Sequence, residues 1–272
     1  MLDFILIKHP LDCPVCDKAG ECELQDTAFE FGMKDEIVSS DKPKEPTVKW
    51  NKIVYNSNLC VLCEKCMKSC HEMTGCSALT MDDRGFYNHI TPAKGDTLGC
   101  DFCGTCIDRC PVGSLLDAQF HHSARVWDLE EKVTSSVFSP DGCPVEYSMM
   151  DGQIYRAKAV GSGQITAQDR FAFKYLDSDD RALNPKVNVD GNLTATNWEE
   201  VTSLLKDKLS GVKGGEIALV AGSTLTNEAM AAYKKLMDGV GSAKIVSDTD
   251  IALGSFYDKY QAKFGTMENI GS

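Results

Sequence analysis

The stretch Cys60-Val-Leu-Cys63-Glu-Lys-Cys66-Met-Lys-Ser-Cys70 has a second copy in this chain, Cys100-Asp-Phe-Cys103-Gly-Thr-Cys106-Ile-Asp-Arg-Cys110-Pro111. Three thiolates at two-residue gaps on a tight loop can bind three irons of one [4Fe–4S] cluster. The fourth cysteine, after a three-residue gap, then lies on the outgoing helix and faces the other cluster. The spacing therefore predicts two clusters, one held by Cys60, Cys63, Cys66 and Cys110, the other by Cys100, Cys103, Cys106 and Cys70.

A pair of Cys₄ zinc sites is the alternative interpretation of these two copies. Structural zinc sites usually combine two CxxC elements, so a third cysteine on the same loop would be superfluous. The spacing favours iron–sulfur clusters.

A further group of ligand residues precedes the two copies, in His9-Pro-Leu-Asp-Cys13-Pro-Val-Cys16-Asp-Lys-Ala-Gly-Glu-Cys22. Its spacing alone fits a zinc Cys₃His site as well as a cluster. Two neighbouring clusters favour a third redox centre, because it would extend an electron path that zinc would end. We predict a third [4Fe–4S] cluster on His9, Cys13, Cys16 and Cys22, with its reduction potential raised because imidazole replaces one negative thiolate.

Composition excludes several other classes of protein. Twelve of the 13 cysteines lie within the first 110 of the 272 residues, and neighbours this close are poor disulfide partners. The formal charge of −12 argues against a nucleic-acid partner, which requires a basic face. The sequence has neither a signal peptide nor an apolar run of about 20 residues. We expect a cytoplasmic protein that does not insert into a membrane.

The later part of the chain is predicted to form hairpins followed by alternating strands and helices. Asp151-Gly152 and Asp190-Gly191 are strong signals for two-residue hairpin turns. Asn197 can cap an amphipathic helix, and a strand over 216–221 then precedes a helix over 226–238. With a further strand at 243–246, this order predicts a βαβ unit of an open α/β domain.

Two motifs carry a family resemblance. The string from His9 to Asp26 resembles, almost letter for letter, the His-Cys₃ motif of the large iron–sulfur subunit of respiratory complex I, the bacterial NADH–quinone oxidoreductase. The run from Cys106 to Leu115 and the segment Ala124-Arg-Val-Trp127 are similar to the next landmarks of that family. The resemblance is most specific over 5–127.

The chain departs from the family pattern at three points. It starts after the position where the family's plant-type [2Fe–2S] domain would end, so it is either a fragment or has lost that centre. Both cysteine copies are complete, as in some bacterial members and in the related iron-only hydrogenases. Where relatives often carry another cluster, the ligand positions are Ser136, Ser139, Cys143 and Thr166. Hydroxyls are poor iron ligands, so we expect no cluster there, and Cys143 and Cys76 to be buried small residues.

The C-terminal part resembles the molybdopterin-oxidoreductase fold, in Asn197-Trp-Glu-Glu200 and in the segment that begins at Gly222. No glycine-rich phosphate fingerprint follows the strand over 216–221, so we expect no molybdenum cofactor. The resemblance implies an α+β multidomain chain: a His-Cys₃ segment (1–45), a two-cluster ferredoxin-like domain (46–126), a degenerate cluster-binding β-hairpin domain (127–180) and a partial α/β molybdopterin-oxidoreductase-like domain (181–272).

The function implied is that of an electron-transfer subunit of NADH–quinone oxidoreductase, without a complete substrate site of its own. Electrons would pass from a flavin or other electron-donor subunit toward quinone, with the other peripheral-arm subunits as partners at the inner face of the plasma membrane. Alternatives are the cluster region of a NAD-linked formate dehydrogenase or an iron-only hydrogenase, and a zinc-binding interaction module. His71, His89, His121 and His122 are interpreted as ordinary surface or core residues.

Overall fold

Helices and small sheets alternate along the chain in the computed structural model, which describes residues 2–32, 45–139, 141–222 and 225–247. The chain divides into two units, residues 1–179 and 180–272. Helix and sheet are mixed, as the sequence predicts. The finer division into four segments stays a prediction.

The first unit is built from short elements. Its helices are α1 (Leu2–Leu6), α2 (Glu23–Glu30), α3 (Lys65–Lys68), α4 (Thr105–Asp108) and α5 (Ala167–Phe171). Its strands are β1 (Val48–Trp50), β2 (Ile53–Tyr55), β3 (Leu79–Asp82), β4 (His89–Pro92), β5 (Leu115–Asp117), β6 (Glu130–Ser135), β7 (Pro144–Met150) and β8 (Gln153–Ala159).

One hydrophobic core supports the two cysteine loops. Strand β2 pairs antiparallel with both β1 and β5, and β3 pairs with β4. Ile53, Ile90 and Val112 are fully buried between these pairs, and Cys66 and Cys110 belong to the same core cluster. The ligand loops are thus anchored on a packed base.

A second core lies under the antiparallel sheet β6–β7–β8. Val145 and Phe173 are completely buried there. The turn between β7 and β8 is Asp151-Gly152, and both residues have the positive φ that such a turn requires, 52° and 79°. The hairpin prediction at this position is confirmed.

The second unit has the predicted order of elements. Strands β9 (Lys186–Val189) and β10 (Asn192–Ala195) form a hairpin, and helix α6 (Trp198–Leu209) starts at its cap Asn197. Helix α7 (Asn227–Gly239) then connects β11 (Leu219–Ala221) to a parallel β12 (Ile245–Ser247), which confirms the βαβ unit. Strand β11 starts later than predicted, because residues 214–216 form a helical turn. The sequence predicts that the chain turns from this strand toward α7 through Gly222-Ser223, and Ser223 lies outside the described residues.

Of the helices within the described ranges, none combines the length and apolar character needed to cross a bilayer.

Candidate iron–sulfur cluster sites

The two cysteine copies adopt the same unusual backbone. Leu62 and Glu64 flank Cys63 with φ values of 55° and 61°. At the equivalent places around Cys103, Phe102 has 53° and Gly104 has 71°. Left-handed residues within a tight loop turn backbone N–H groups toward one concave side, as in many phosphate and iron–sulfur sites. The internal duplication seen in the sequence is therefore also present in the backbone.

The first ligand set brings its four thiols together. Burial, followed in order by the charges of Cys110, Cys60 and Cys63, raises the pKa of Cys66 to about 12. Cys110 belongs to the second copy, but its thiol lies within electrostatic range of the first set, and the exchange of fourth cysteines as ligands stays a prediction. Backbone N–H groups of Val112 and Leu115 act in the opposite direction on the pKa of Cys110, because they stabilise its thiolate.

The thiols of the second set also lie close together in the structure. Burial raises the pKa of Cys106 well above its usual value, with further contributions from Cys66, Cys103 and Cys70. A cavity of about 190 Å³ is lined by all four thiol residues of the set. The N–H of Ala78 lies 3.3 Å from the Cys70 sulfur and donates to it. Cys66 and Cys106 influence each other electrostatically, so the two sets are neighbours.

The sequence predicts that Cys76 and Cys143 are buried, and both predictions are wrong, because each residue is partly exposed. Cys76 also lines the cavity of the second set. Burial and the nearby Cys70 raise the pKa of its thiol, with the Cys70 side chain within hydrogen-bonding range. Cys76 lies outside the duplicated cysteine spacing, so the sequence does not indicate that it lines this cavity.

The third set converges less completely. His9 is buried, and its Nδ1 donates to the Leu59 carbonyl at 3.0 Å, which leaves Nε2 as the lone-pair nitrogen. Burial lowers the pKa of His9, which favours the neutral, ligand-competent imidazole. His9, Cys13 and Cys22 line one cavity of about 490 Å³.

Cys16, the fourth member of the third set, lines a neighbouring cavity instead. A Cβ atom on Gly113 would come within 2.4 Å of the Cys16 sulfur, so only glycine fits there. Cys16 still lies within electrostatic range of Cys22 and Cys13, which raise its pKa after the larger effect of burial. The structure thus brings three of the four residues to one cavity and keeps the fourth nearby.

Two arginines hold the ligand loops by their carbonyl groups. Arg170, with only 1% of its surface exposed, donates from Nε to the Cys103 carbonyl at 2.8 Å and pairs with Asp108. Its charge lowers the pKa of Cys106. Arg125 donates to the carbonyl groups of Pro14 and Cys16 at 2.6 and 3.0 Å.

These donor sets fit iron–sulfur clusters. All 13 cysteines lie in the described ranges and are free thiols. Thiolates are the soft ligands that such clusters or zinc require. Burial and mutual repulsion raise the pKa values of thiols in all three sets, such as Cys22, Cys66 and Cys106, so their protons must leave when a positively charged centre binds. The backbone N–H donors already present would stabilise the resulting thiolates.

The hydroxyl groups of Ser136, Ser139 and Thr166 are bound to another side chain and do not form an open ligand site. All three hydroxyls donate to the carboxylate of Asp169, at 2.8 Å from Ser139 and 2.7 Å from Thr166. Burial of Asp169 would raise its pKa, but the three hydroxyls lower it below the usual value. Asp169 also completes the capping box of helix α5 with Thr166. The ligand positions of the related clusters are thus engaged in an internal network.

Comparison with known families matches three parts of the chain. Residues 1–36 match the NADH-ubiquinone oxidoreductase-G iron-sulfur binding region, and residues 51–116 match the ferredoxin-like domain of NADH-quinone oxidoreductase subunit 3. Residues 181–267 match the molybdopterin oxidoreductase family. The predicted resemblance to the large iron–sulfur subunit is confirmed.

Similar curated proteins carry related names. A G-type chain of the NADH-quinone oxidoreductase of Rhizobium meliloti is 33% identical over 87% of this chain and 29% of its own length. The NADPH-Fe(3+) oxidoreductase subunit alpha of Geobacter sulfurreducens is 32% identical over 93% of this chain and 31% of its own. The chain spans about a third of the length of these relatives.

One solved structure, of a NAD+-reducing [NiFe]-hydrogenase in the H2-reduced state, is similar with a TM-score of 0.42 and 24% identity. The match covers 46% of this chain and 55% of the hydrogenase chain.

The expectation that the chain has no molybdenum cofactor is contradicted by the molybdopterin oxidoreductase match over residues 181–267. The expectation rested on one missing local motif, the glycine-rich turn of dinucleotide sites. A family match depends on the pattern of the whole segment, so the lack of that motif does not exclude the cofactor.

Proposed function

We propose that this chain, a relative of the large iron–sulfur subunit of the NADH–quinone oxidoreductases, is an electron-transfer subunit that holds [4Fe–4S] clusters at its three ligand sets. The observation that carries the proposal is that the fourth cysteine of each duplicated loop lies beside the other loop. The Cys110 thiol lies within electrostatic range of Cys66 and Cys60 of the first loop, and Cys70 lines one cavity with Cys100, Cys103 and Cys106 of the second. An interaction module with two independent zinc sites would not need this crossed arrangement.

Bound clusters would supply one-electron chemistry, and the chain's own residues would control where it happens. The core under β2 and β5 fixes the two cysteine loops relative to each other. This keeps the distance between the first and the second ligand set constant. Burial of Cys66 and Cys110 excludes water from these two sulfur ligands. His9, bound through Nε2 with Nδ1 held by Leu59, would supply the neutral ligand of the third set.

The wider role follows from the relatives. We propose that the partners are the other peripheral-arm subunits of such a complex, including a flavin or other electron-donor subunit. In this proposal the complex is located at the inner face of the plasma membrane, and quinone is the eventual acceptor. We also retain the four-segment division of the chain at 1–45, 46–126, 127–180 and 181–272. One relative is named an NADPH-Fe(3+) oxidoreductase subunit, so the donor and acceptor require direct measurement.

Magnetic coupling between neighbouring sets tests the electron path. Anaerobically purified protein reduced with dithionite is expected to give low-temperature EPR signals of reduced [4Fe–4S] clusters, broadened by spin–spin interaction. The Cys106→Ser variant should retain signals from the first set without that broadening, because the neighbouring set loses a ligand. Uncoupled signals in the unaltered protein, or EPR silence in protein that contains zinc, would contradict the proposal.

A further inference from the structure

A second kind of ligand cluster lies outside the thiol sets, at Asp17, His121 and His122. The Asp17 carboxylate is 4% exposed and accepts from His121 Nδ1 at 2.7 Å and from the His122 backbone N–H at 3.0 Å. The Nδ1 atom of His122 lies 3.4 Å from the other carboxylate oxygen. One ligand atom from each of the three side chains lies within 4.8 Å of the other two.

The two imidazoles are held against each other. Their ring centroids are 3.9 Å apart with a tilt of 32°. A neutral imidazole offers one nitrogen lone pair to a metal. Two imidazoles and one carboxylate form a donor set typical of zinc and related divalent ions.

The backbone of His122 has an uncommon conformation that supports this arrangement. His122 has a φ of 59°, in the left-handed region, which is uncommon for a residue with a side chain. This conformation aims both the backbone N–H and the ring of His122 at the same carboxylate. Such strained residues cluster at ligand sites, because the surrounding structure must hold them in place.

We propose that Asp17, His121 and His122 bind one divalent transition-metal ion of the zinc class. A cavity of about 300 Å³ adjoins the three residues, and it would admit a water molecule as fourth ligand. Ligand atoms of a tetrahedral zinc site lie about 3.3 Å apart. Nδ1 of His122 lies 3.4 Å from Oδ1 of Asp17, which meets this value. Nδ1 of His121 lies 2.7 Å from Oδ2 of the same carboxylate, so the His121 ring must move outward by about 0.6 Å. The His121 side chain is 28% exposed and has room to do so.

The ion would link two distant parts of the first unit. Asp17 follows Cys16 in the N-terminal segment, and the two histidines follow β5, 104 and 105 residues later. A bound ion stabilises the folded state in proportion to the logarithm of its concentration over its Kd. It would therefore fix the N-terminal ligand segment to the turn after β5. This inference does not depend on the proposed electron-transfer function.

Zinc X-ray absorption on cluster-loaded protein tests the site without interference from iron. With one equivalent of zinc added anaerobically, the spectrum should show nitrogen and oxygen neighbours at about 2.0–2.1 Å and no sulfur shell at about 2.3 Å. Equilibrium dialysis should give one zinc per chain. The thermal unfolding midpoint should rise with zinc.

Variants separate this site from chance binding. His122→Ala changes a side chain that is 65% exposed, so the fold should persist, and zinc affinity should fall by about 100-fold or more. His89→Ala is the matched control, since His89 lies 4.0 Å from Asp83 without a second imidazole on that carboxylate; it should bind zinc as before. A sulfur shell in the unaltered protein, unchanged affinity in His122→Ala, or failure to bind zinc would overturn the proposal.

Discussion

The second thiol set and the Asp169 network each gather several polar side chains in the first unit, with opposite electrostatic outcomes. In the thiol set, like groups face one another, and burial with mutual repulsion raises the pKa of Cys106. In the network, three hydroxyls surround one carboxylate and lower its pKa. A set of equal acids needs a positively charged centre from outside, whereas donors around an acceptor satisfy one another.

Helix α5 connects the two places through consecutive residues. Asp169 accepts from the hydroxyl groups of Ser136, Ser139 and Thr166, while Arg170 reaches the Cys103 carbonyl. One short helix therefore contributes the carboxylate of the closed network and a buried cation beside the thiols. The contrast predicts that substitutions at the thiols change metal content, and that substitutions at the network change stability alone.

Cys106→Ser is expected to change the protein most. The variant should lose about four irons per chain, because serine is a poor ligand for iron in a cluster. The first unit should also unfold at a lower temperature, since metal binding contributes folding free energy. Iron analysis and thermal unfolding of anaerobically purified protein measure both changes. Cys143→Ser, which alters a thiol outside the three sets, should keep its iron. Equal iron content in Cys106→Ser and Cys143→Ser would show that the second thiol set does not bind iron.

Asp169→Ala should destabilise the chain by about 3–5 kcal/mol without loss of iron. The substitution leaves three part-buried hydroxyls without their acceptor and removes a residue of the α5 capping box. Urea unfolding of the cluster-loaded protein measures this change. Ser139→Ala, which removes one donor, should cost about 1–2 kcal/mol. A loss below about 1 kcal/mol for Asp169→Ala would show that the network does not stabilise the fold.

Arg170→Met should lower the reduction potential of the second set by an amount on the order of 50–100 mV. A buried cation stabilises the more negative, reduced cluster, and Arg170 already lowers the pKa of Cys106. Arg170→Lys keeps the charge and should recover most of the potential. EPR-monitored redox titration gives these values, with iron content confirming that the cluster is present. Asp108→Asn should shift the potential upward; a downward shift would contradict this electrostatic account.

Acid stability should change least. The folded-state pKa of Asp169 lies below its usual value of 3.8, so its contribution to stability is complete above that value and is lost as pH falls through the lowered pKa. Asp169→Asn should remove this dependence. The unaltered protein should therefore lose part of its stability advantage over Asp169→Asn as the pH is lowered from 6 to 3. The difference between their free energies of unfolding should narrow by about 1 kcal/mol or less. A constant difference would mean that Asp169 titrates normally.

Local spacing was enough to predict the two hairpins and the βαβ unit, because each depends on residues close together in the chain. The cysteine sets rest on the duplicated spacing and stay a prediction. The sequence did not reveal the acceptor Asp169, which lies 30 residues or more from Ser136 and Ser139. It also gave no signal for Cys76 in the second cavity, or for Asp17 beside His121 and His122. These contacts depend on how distant segments pack, which no spacing rule encodes.

The count of iron, acid-labile sulfide and zinc per chain in anaerobically purified protein decides whether the thiol sets carry electrons. Three ligand sets that hold [4Fe–4S] clusters predict about twelve iron and twelve sulfide. A single zinc would belong to the Asp17 site. Zinc at the thiol sets, with little iron and no acid-labile sulfide, would contradict the electron-transfer role, because the thiols would then serve structure alone.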